Sequence, residues 1–186
     1  VKYGGLRFLE AAHVKDLICI LRWAENPRDA VAGFRTMQLL PGVGPATARR
    51  ALSRLEEQHY DLEALRALEM PAAAREDWPK VCTLYERLRN AETPWAGQVE
   101  LARLWYEPHL ARLHDDAHIR MGDLIHLEGI AATQPSRERF LSELTLDPPV
   151  ATGAEAVPPH LDEDYLILST IHSAKGQEWD VVHVLN

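Results

Sequence analysis

Apolar residues that recur every three or four positions constrain the fold of this chain more than any other feature. The stretch FLEAAHVKDLICILRWAE, residues 8–25, has this spacing, which is typical of one face of an amphipathic helix. The same pattern predicts further helices over about 28–39, 46–58, 61–69, 72–90 and 97–133, with a break or kink at Pro108. A last short helix follows with Ser136 as its cap. The predicted fold class is therefore mainly α.

Strand patterns occur only at the end of the chain. The runs YLILSTI and DVVHVLN, residues 165–171 and 180–186, are short, apolar and rich in β-branched residues. The preceding residues 147–164 include four prolines and five acidic residues, which predicts an extended linker. Because two strands alone do not form a stable sheet, we expect this pair to join strands outside the sequence. The initial Val, in place of Met, also predicts a piece of a longer protein.

The overall charge narrows the possible partners. The net charge of -8 argues against a protein that coats nucleic acid through bulk positive charge, so any such contact must be local. No apolar run approaches the roughly 20 residues that span a bilayer, and the first residues have no signal-peptide pattern. We therefore expect a cytoplasmic protein with no membrane partner. Cys19 and Cys82 have no CxxC spacing, which favours core positions over a disulfide or zinc site.

The motif LLPGVGPATARRAL, residues 39–52, predicts a sharp turn between two helices. Gly42 and Gly44 would let peptide N–H groups of this turn reach the surface where the next helix begins, and that helix end attracts phosphate. Three arginines follow in that helix and add positive charge: Arg49, Arg50 and Arg54. This is the logic of a helix-hairpin-helix, which holds a nucleic-acid backbone without reading its sequence. The alternative is a structural corner that needs the glycines only for its geometry.

A metal site is a weaker alternative. His114 and His118 are four residues apart, which on one helix face is a spacing that can chelate zinc. No glutamate follows the first histidine as in HExxH, and no third ligand is identifiable. The pattern therefore favours a solvated helix face, and we expect no bound metal.

The polar turn between the two predicted strands resembles a helicase motif. TIHSAKGQEWDVV, residues 170–182, is similar to motif five of UvrD/Rep-type superfamily 1 DNA helicases, T-x-H-x-x-K-G-x-E-[FW] between two apolar strands. The residues that match in register are Thr170, His172, Ser173, Lys175, Gly176, Glu178 and Trp179. Gln177 departs from the usual leucine but leaves the polar positions intact.

The start of the chain resembles a second segment of the same family, Y-x-G-G-x-x-F-x-E-x-x-E-[IV]-K-D. It matches at Gly4, Gly5, Phe8, Glu10, Val14, Lys15 and Asp16, and His13 stands where glutamate is usual. In that family the two segments flank a helical insertion, subdomain 2B, of the second RecA-like domain, 2A. The resemblance implies a 2A flank over 1–22, a helical 2B-like subdomain over 23–146 and a 2A strand-turn-strand over 165–186, after the linker at 147–164.

The resemblance also implies roles for individual residues. Thr170 and His172 would contact single-stranded DNA, Glu178 would bind the ATP ribose, and Lys175 and Gly176 would shape the turn between them. Duplex DNA would be held by Gly42, Val43, Gly44, Arg49 and Arg50.

The implied parent is a 3′-to-5′ DNA helicase that uses ATP and Mg²⁺ in repair or replication, with its other domains and a single-strand/duplex junction as partners. We expect this chain alone to bind no ATP and to be inactive, because it contains no G-x-x-x-x-G-K-[ST] loop. The alternative is a stand-alone helix-hairpin-helix module that binds DNA or another protein.

Overall fold

The structure, a computed structural model, describes the backbone of residues 5–146 and the side chains of residues 8–144. This part of the chain is mainly α-helical, which confirms the predicted class. Its helices are α1 (Gly5–Glu10), α2 (Ala12–Glu25), α3 (Ala30–Gln38), α4 (Pro45–Glu57), α5 (Leu62–Arg66), α6 (Trp78–Arg89), α7 (Trp95–Leu113), α8 (Ala117–Ala132) and α9 (Arg137–Leu146), with a 3₁₀ turn at Ala72–Ala74. The predicted linker and strands lie outside the described residues.

Helix α2 is the centre of the fold. It contacts α1, α3, α6, α7, α8 and α9, and the side chains of Val14, Leu17, Ile20 and Leu21 have no exposed surface. A helix that is apolar on most of its circumference must be buried on most sides, so the other helices surround it. The predicted domain boundary between residues 22 and 23 falls inside α2, and residues on both sides of it belong to the same hydrophobic core. The boundary itself stays a prediction.

The predicted helix boundaries differ from the structure at two places. The helix over 8–25 is interrupted at Ala11, whose ψ of 135° is extended. Pro108 lies inside α7 on its exposed surface, where water can solvate the carbonyl group that proline leaves without a donor. The chain instead turns at His114, which has the extended angles φ -137° and ψ 126°.

Two other predicted helices were too long, and one cap was correct. The stretch 61–69 forms only Leu62–Arg66, and 72–90 divides into the 3₁₀ turn and α6. The Ser136 hydroxyl oxygen accepts a hydrogen bond of 3.1 Å from the Arg139 N–H, which confirms the predicted cap. Cys19 and Cys82 are both buried free thiols, and burial raises the pKa of Cys82 to about 11. Within 5–146, no helix combines the length and apolar character needed to cross a bilayer.

Close packing at Gly33 gives a prediction about α3. A β-carbon added there would lie 2.8 Å from Nε1 of Trp23 and 2.9 Å from Cδ2 of Leu52, so it would collide with both α2 and α4. We expect Gly33→Ala to lower the free energy of unfolding by roughly 1–3 kcal/mol, measured by urea denaturation. Gly129→Ala is the control, since space around Gly129 is open and alanine is favoured in helices by up to about 1 kcal/mol. Equal effects of the two substitutions would contradict this packing.

Candidate nucleic-acid interface

The turn between α3 and α4 is built from two glycines with different roles. Gly42 has φ of +72°, in the left-handed region that glycine adopts without strain. Gly44 has φ of -87° and ψ of 176°, angles open to any residue, and it precedes Pro45 at the start of α4. Val43, between them, is 5% exposed and anchors the turn in the core. The backbone therefore needs a glycine at position 42 only.

Four backbone N–H groups at this turn have no hydrogen-bond acceptor in the described part of the chain: those of Gly42, Gly44, Ala46 and Thr47. Gly42, Gly44 and Ala46 are also exposed. The Val43 N–H, in contrast, already donates to the Leu40 carbonyl oxygen at 3.2 Å. Because the N-terminus of a helix carries partial positive charge, these four amides, here named the amide cradle, suit an anion such as phosphate. The sequence motif indicated the glycines but not Ala46 or Thr47.

The sequence around the amide cradle is basic, and three of its arginines pair with no acidic residue within 8–144. Residues 30–55 include four of the 20 basic residues of the chain, all arginine, and none of its 28 acidic residues. Arg50 and Arg54 are one helical turn apart, both are exposed, and neither pairs with an acidic residue within 8–144. The Arg49 guanidinium lies 5.5 Å from the centre of the Phe34 ring on α3. A local positive surface therefore exists on a chain whose net charge is negative.

Residues far away in sequence hold the turn in place. Arg112 on α7 donates a hydrogen bond from Nη2 to the Leu39 carbonyl oxygen at the end of α3. On another side, a β-carbon at Gly42 would be 3.1 Å from Cβ of Ala73. Arg112 also brings a further cation near the amide cradle. No local sequence pattern predicted these contacts, because they join residues 73 and 31 positions apart.

A buried carboxylate ties α3 to the centre of the fold. One oxygen of Asp16 on α2 accepts from Nε of Arg35 on α3 at 2.6 Å, and the other accepts from the Tyr106 hydroxyl on α7 at 2.6 Å. Arg35 also donates to the Ala12 carbonyl oxygen at 3.0 Å. Burial, together with the adjacent Asp16 charge, raises the pKa of Tyr106, so its hydroxyl remains a donor. Asp16 therefore fixes the position of α3, a role that the sequence did not indicate.

His13 joins α2 to α8. Its Nε2 lies 2.8 Å from a carboxylate oxygen of Asp123, and its Nδ1 lies 3.3 Å from Nη1 of Arg120. Arg120, only 1% exposed, also donates from Nε to Asp116 at 2.6 Å. A glutamate at position 13, usual in the helicase segment, would place a carboxylate close to that of Asp123. Histidine avoids this repulsion because its ring carries no negative charge.

The two candidate zinc ligands are not on one helix. His114 follows the last residue of α7, whereas His118 lies in α8 beyond a turn. The idea that they share a helix face was therefore wrong, because the chain bends between them. Among residues 5–146, no group of three His, Cys, Asp or Glu side chains could hold a metal ion.

The motif-five residues Thr170, His172, Lys175, Gly176 and Glu178 lie outside the described residues, so their roles stay predictions. Comparison with known proteins adds no relative, since no family model, no curated protein and no solved structure matches this chain.

Proposed function

We propose that this chain is the DNA-binding part of an ATP-dependent 3′-to-5′ DNA helicase of the UvrD/Rep type. In this proposal α3, the glycine turn and α4 form a helix-hairpin-helix that holds the backbone of duplex DNA ahead of the junction. The observation that carries the proposal is the amide cradle beside three exposed arginines, Arg49, Arg50 and Arg54, that pair with no acidic residue within 8–144. The motif resemblance at both ends of the chain supports the link to a helicase.

The chemistry of the cradle suits a phosphate rather than a base. Phosphate oxygens accept several hydrogen bonds at once, and a charged acceptor strengthens each of them. Exposed backbone amides offer the same donors at every position along a duplex, so the contact is independent of sequence. Arg50 and Arg54 would add attraction to neighbouring phosphates. A helicase needs such a contact because it moves along DNA of any sequence.

ATP hydrolysis belongs to the intact parent in this proposal. Glu178 would bind the ribose, with Mg²⁺ and the phosphate-binding loop supplied by the other helicase domains. The chain itself lacks the G-x-x-x-x-G-K-[ST] sequence, so we expect no ATP turnover from it alone. DNA binding without any helicase parent would fit the alternative of a stand-alone module, and the sequence of the intact gene separates the two.

A salt series tests the proposed duplex contact. We expect the chain to bind a fluorescent duplex with a 3′ single-stranded tail, and log K to fall linearly with log salt concentration. The slope of log K against log salt concentration should become smaller in magnitude by about 2 in Arg50→Gln/Arg54→Gln, because each arginine neutralises about one phosphate. Anisotropy titrations from 50 to 300 mM salt measure the slope.

A matched control removes two positive charges elsewhere. Lys15 and Arg87 are exposed and pair with no acidic residue in the described chain, so Lys15→Gln/Arg87→Gln gives the same change in net charge. We expect this variant to keep the wild-type slope. If both variants change the slope equally, or no binding is detected at 50 mM salt, the proposed interface is wrong.

A further inference from the structure

An open groove between α6 and α7 shares no residue with the amide cradle. Its volume is about 430 Å³, and its apolar lining includes Leu101, Leu104 and Trp105 of α7. Leu104 is 51% exposed, which is high for a leucine beside other apolar side chains. A cleft of this size, lined mainly by apolar side chains, is in the range that ligand-binding sites occupy.

The charged residues that line the groove are both basic. Lys80 and Arg87 lie on α6, and no acidic residue lines the groove. Lys80 is hydrogen-bonded to Asp77 at 2.8 Å, whereas Arg87 pairs with no residue within 8–144. The groove therefore suits an apolar ligand that carries carboxylates.

We propose that this groove binds residues 147–164 of the same chain, DPPVATGAEAVPPHLDED. This segment has five acidic residues, no lysine or arginine, and four prolines. Proline-rich segments bind apolar, aromatic-lined grooves at a low entropic cost, because proline restricts the unbound chain. The acidic residues complement Lys80 and Arg87.

The connection to α9 makes this contact reachable. The first turn of α9 is held beside the groove, because Nη1 of Arg137 donates to the Leu88 carbonyl oxygen at 2.7 Å and to Oε1 of Gln98 at 2.9 Å. Leu88 follows Arg87 directly, and Gln98 is three residues before Leu101. The ten residues of α9 extend over about 15 Å. The 18 residues that follow the helix span up to about 55 Å when extended. This length exceeds that of α9, so the segment can reach back along the helix to the groove.

The lining favours a peptide over single-stranded nucleic acid. Nucleic-acid grooves of this kind stack successive bases on several aromatic rings, whereas this lining has one aromatic side chain, Trp105. The remaining apolar side chains are leucine and proline, which pack against aliphatic groups. The inference goes beyond the proposed function and does not depend on DNA binding.

Competition between the tethered segment and a free peptide tests the proposal. The receptor is the full 186-residue chain with its segment neutralised by Asp147→Asn, Glu155→Gln, Asp162→Asn, Glu163→Gln and Asp164→Asn. The probe is a fluorescein-labelled synthetic peptide of residues 147–164, titrated by anisotropy at low salt. We expect the peptide to bind this receptor, and to bind the wild-type chain at least about tenfold more weakly, because a tethered segment competes at an effective concentration near millimolar.

A groove variant locates the site. Leu104→Asp in the neutralised receptor should weaken peptide binding by about tenfold or more and should leave the unfolding transition unchanged, because Leu104 is largely exposed. The proposal is overturned if the peptide binds neither chain, if it binds both equally, or if Leu104→Asp has no effect. It is also overturned if oligo(dT) binds the groove in preference to the peptide and loses that binding in Leu104→Asp.

Discussion

Gly44→Asp is expected to weaken binding of tailed duplex DNA strongly and to leave the fold at least as stable as the wild type. Position 44 is the N-cap of α4, with backbone angles that suit aspartate and with open space around its α-carbon. An aspartate there would accept hydrogen bonds from the first-turn amides of α4 and stabilise the helix by a few tenths of a kcal/mol relative to glycine. The same carboxylate would occupy the amide cradle and repel phosphate.

The expected loss of affinity is large. A phosphate would lose one or two charge-assisted hydrogen bonds, each worth about 1.5–3 kcal/mol, so binding should fall roughly 100-fold or more. Anisotropy titration at low salt measures the affinity, and urea denaturation of the same preparation measures stability. Stability that does not fall would show that lost binding is not a result of unfolding.

Gly44→Asn is the matched control, because asparagine caps a helix about as well as aspartate but carries no charge. The asparagine side chain would occupy the amide cradle but would not repel phosphate. Gly44→Asn should therefore bind DNA with an affinity between those of the wild type and Gly44→Asp. Wild-type affinity in Gly44→Asp would exclude the amide cradle as the phosphate site. Gly42 is a poorer target, since its φ of +72° and its proximity to Ala73 mean that a substitution would also disturb the turn.

The turn was predictable because its requirements are local. A left-handed residue in a tight corner needs glycine, a buried anchor needs an apolar side chain, and a helix start tolerates proline. Gly42, Val43 and Pro45 meet these requirements within four positions of sequence. The arginines were visible for the same reason, since α4 follows the turn directly.

The supports of the turn were not predictable, because they depend on how distant helices meet. Asp16 and Tyr106 are 90 residues apart, and Arg112 reaches Leu39 across 73. That Pro108 does not end the helix has a related origin. Whether proline ends a helix depends on what solvates the carbonyl group it leaves unpaired, and the exposure of that group is decided by the tertiary fold.

Asp16→Ala is the change in the core from which we expect the largest loss of stability. The carboxylate is 5% exposed, and its removal would leave the fully buried Tyr106 hydroxyl without its acceptor. Removing one partner of a buried ion pair lowers the free energy of unfolding by about 3–5 kcal/mol. The Arg35 side chain is 37% exposed and can turn partly toward water, so we expect a loss near the lower end, about 3 kcal/mol. Urea denaturation followed by circular dichroism measures it.

Two comparisons make the Asp16 prediction specific. Asp16→Asn keeps an oxygen for Arg35 and gains an N–H that the Tyr106 hydroxyl can accept, so it should cost clearly less than Asp16→Ala. Glu143→Ala removes a surface carboxylate paired with Arg139 within one helix, and should change stability by about 0.5 kcal/mol or less. If Asp16→Ala costs no more than Glu143→Ala, Asp16 does not hold α3. If the expected order is found, the position of the candidate DNA-binding turn depends on a carboxylate in the segment of α2 that resembles the helicase family.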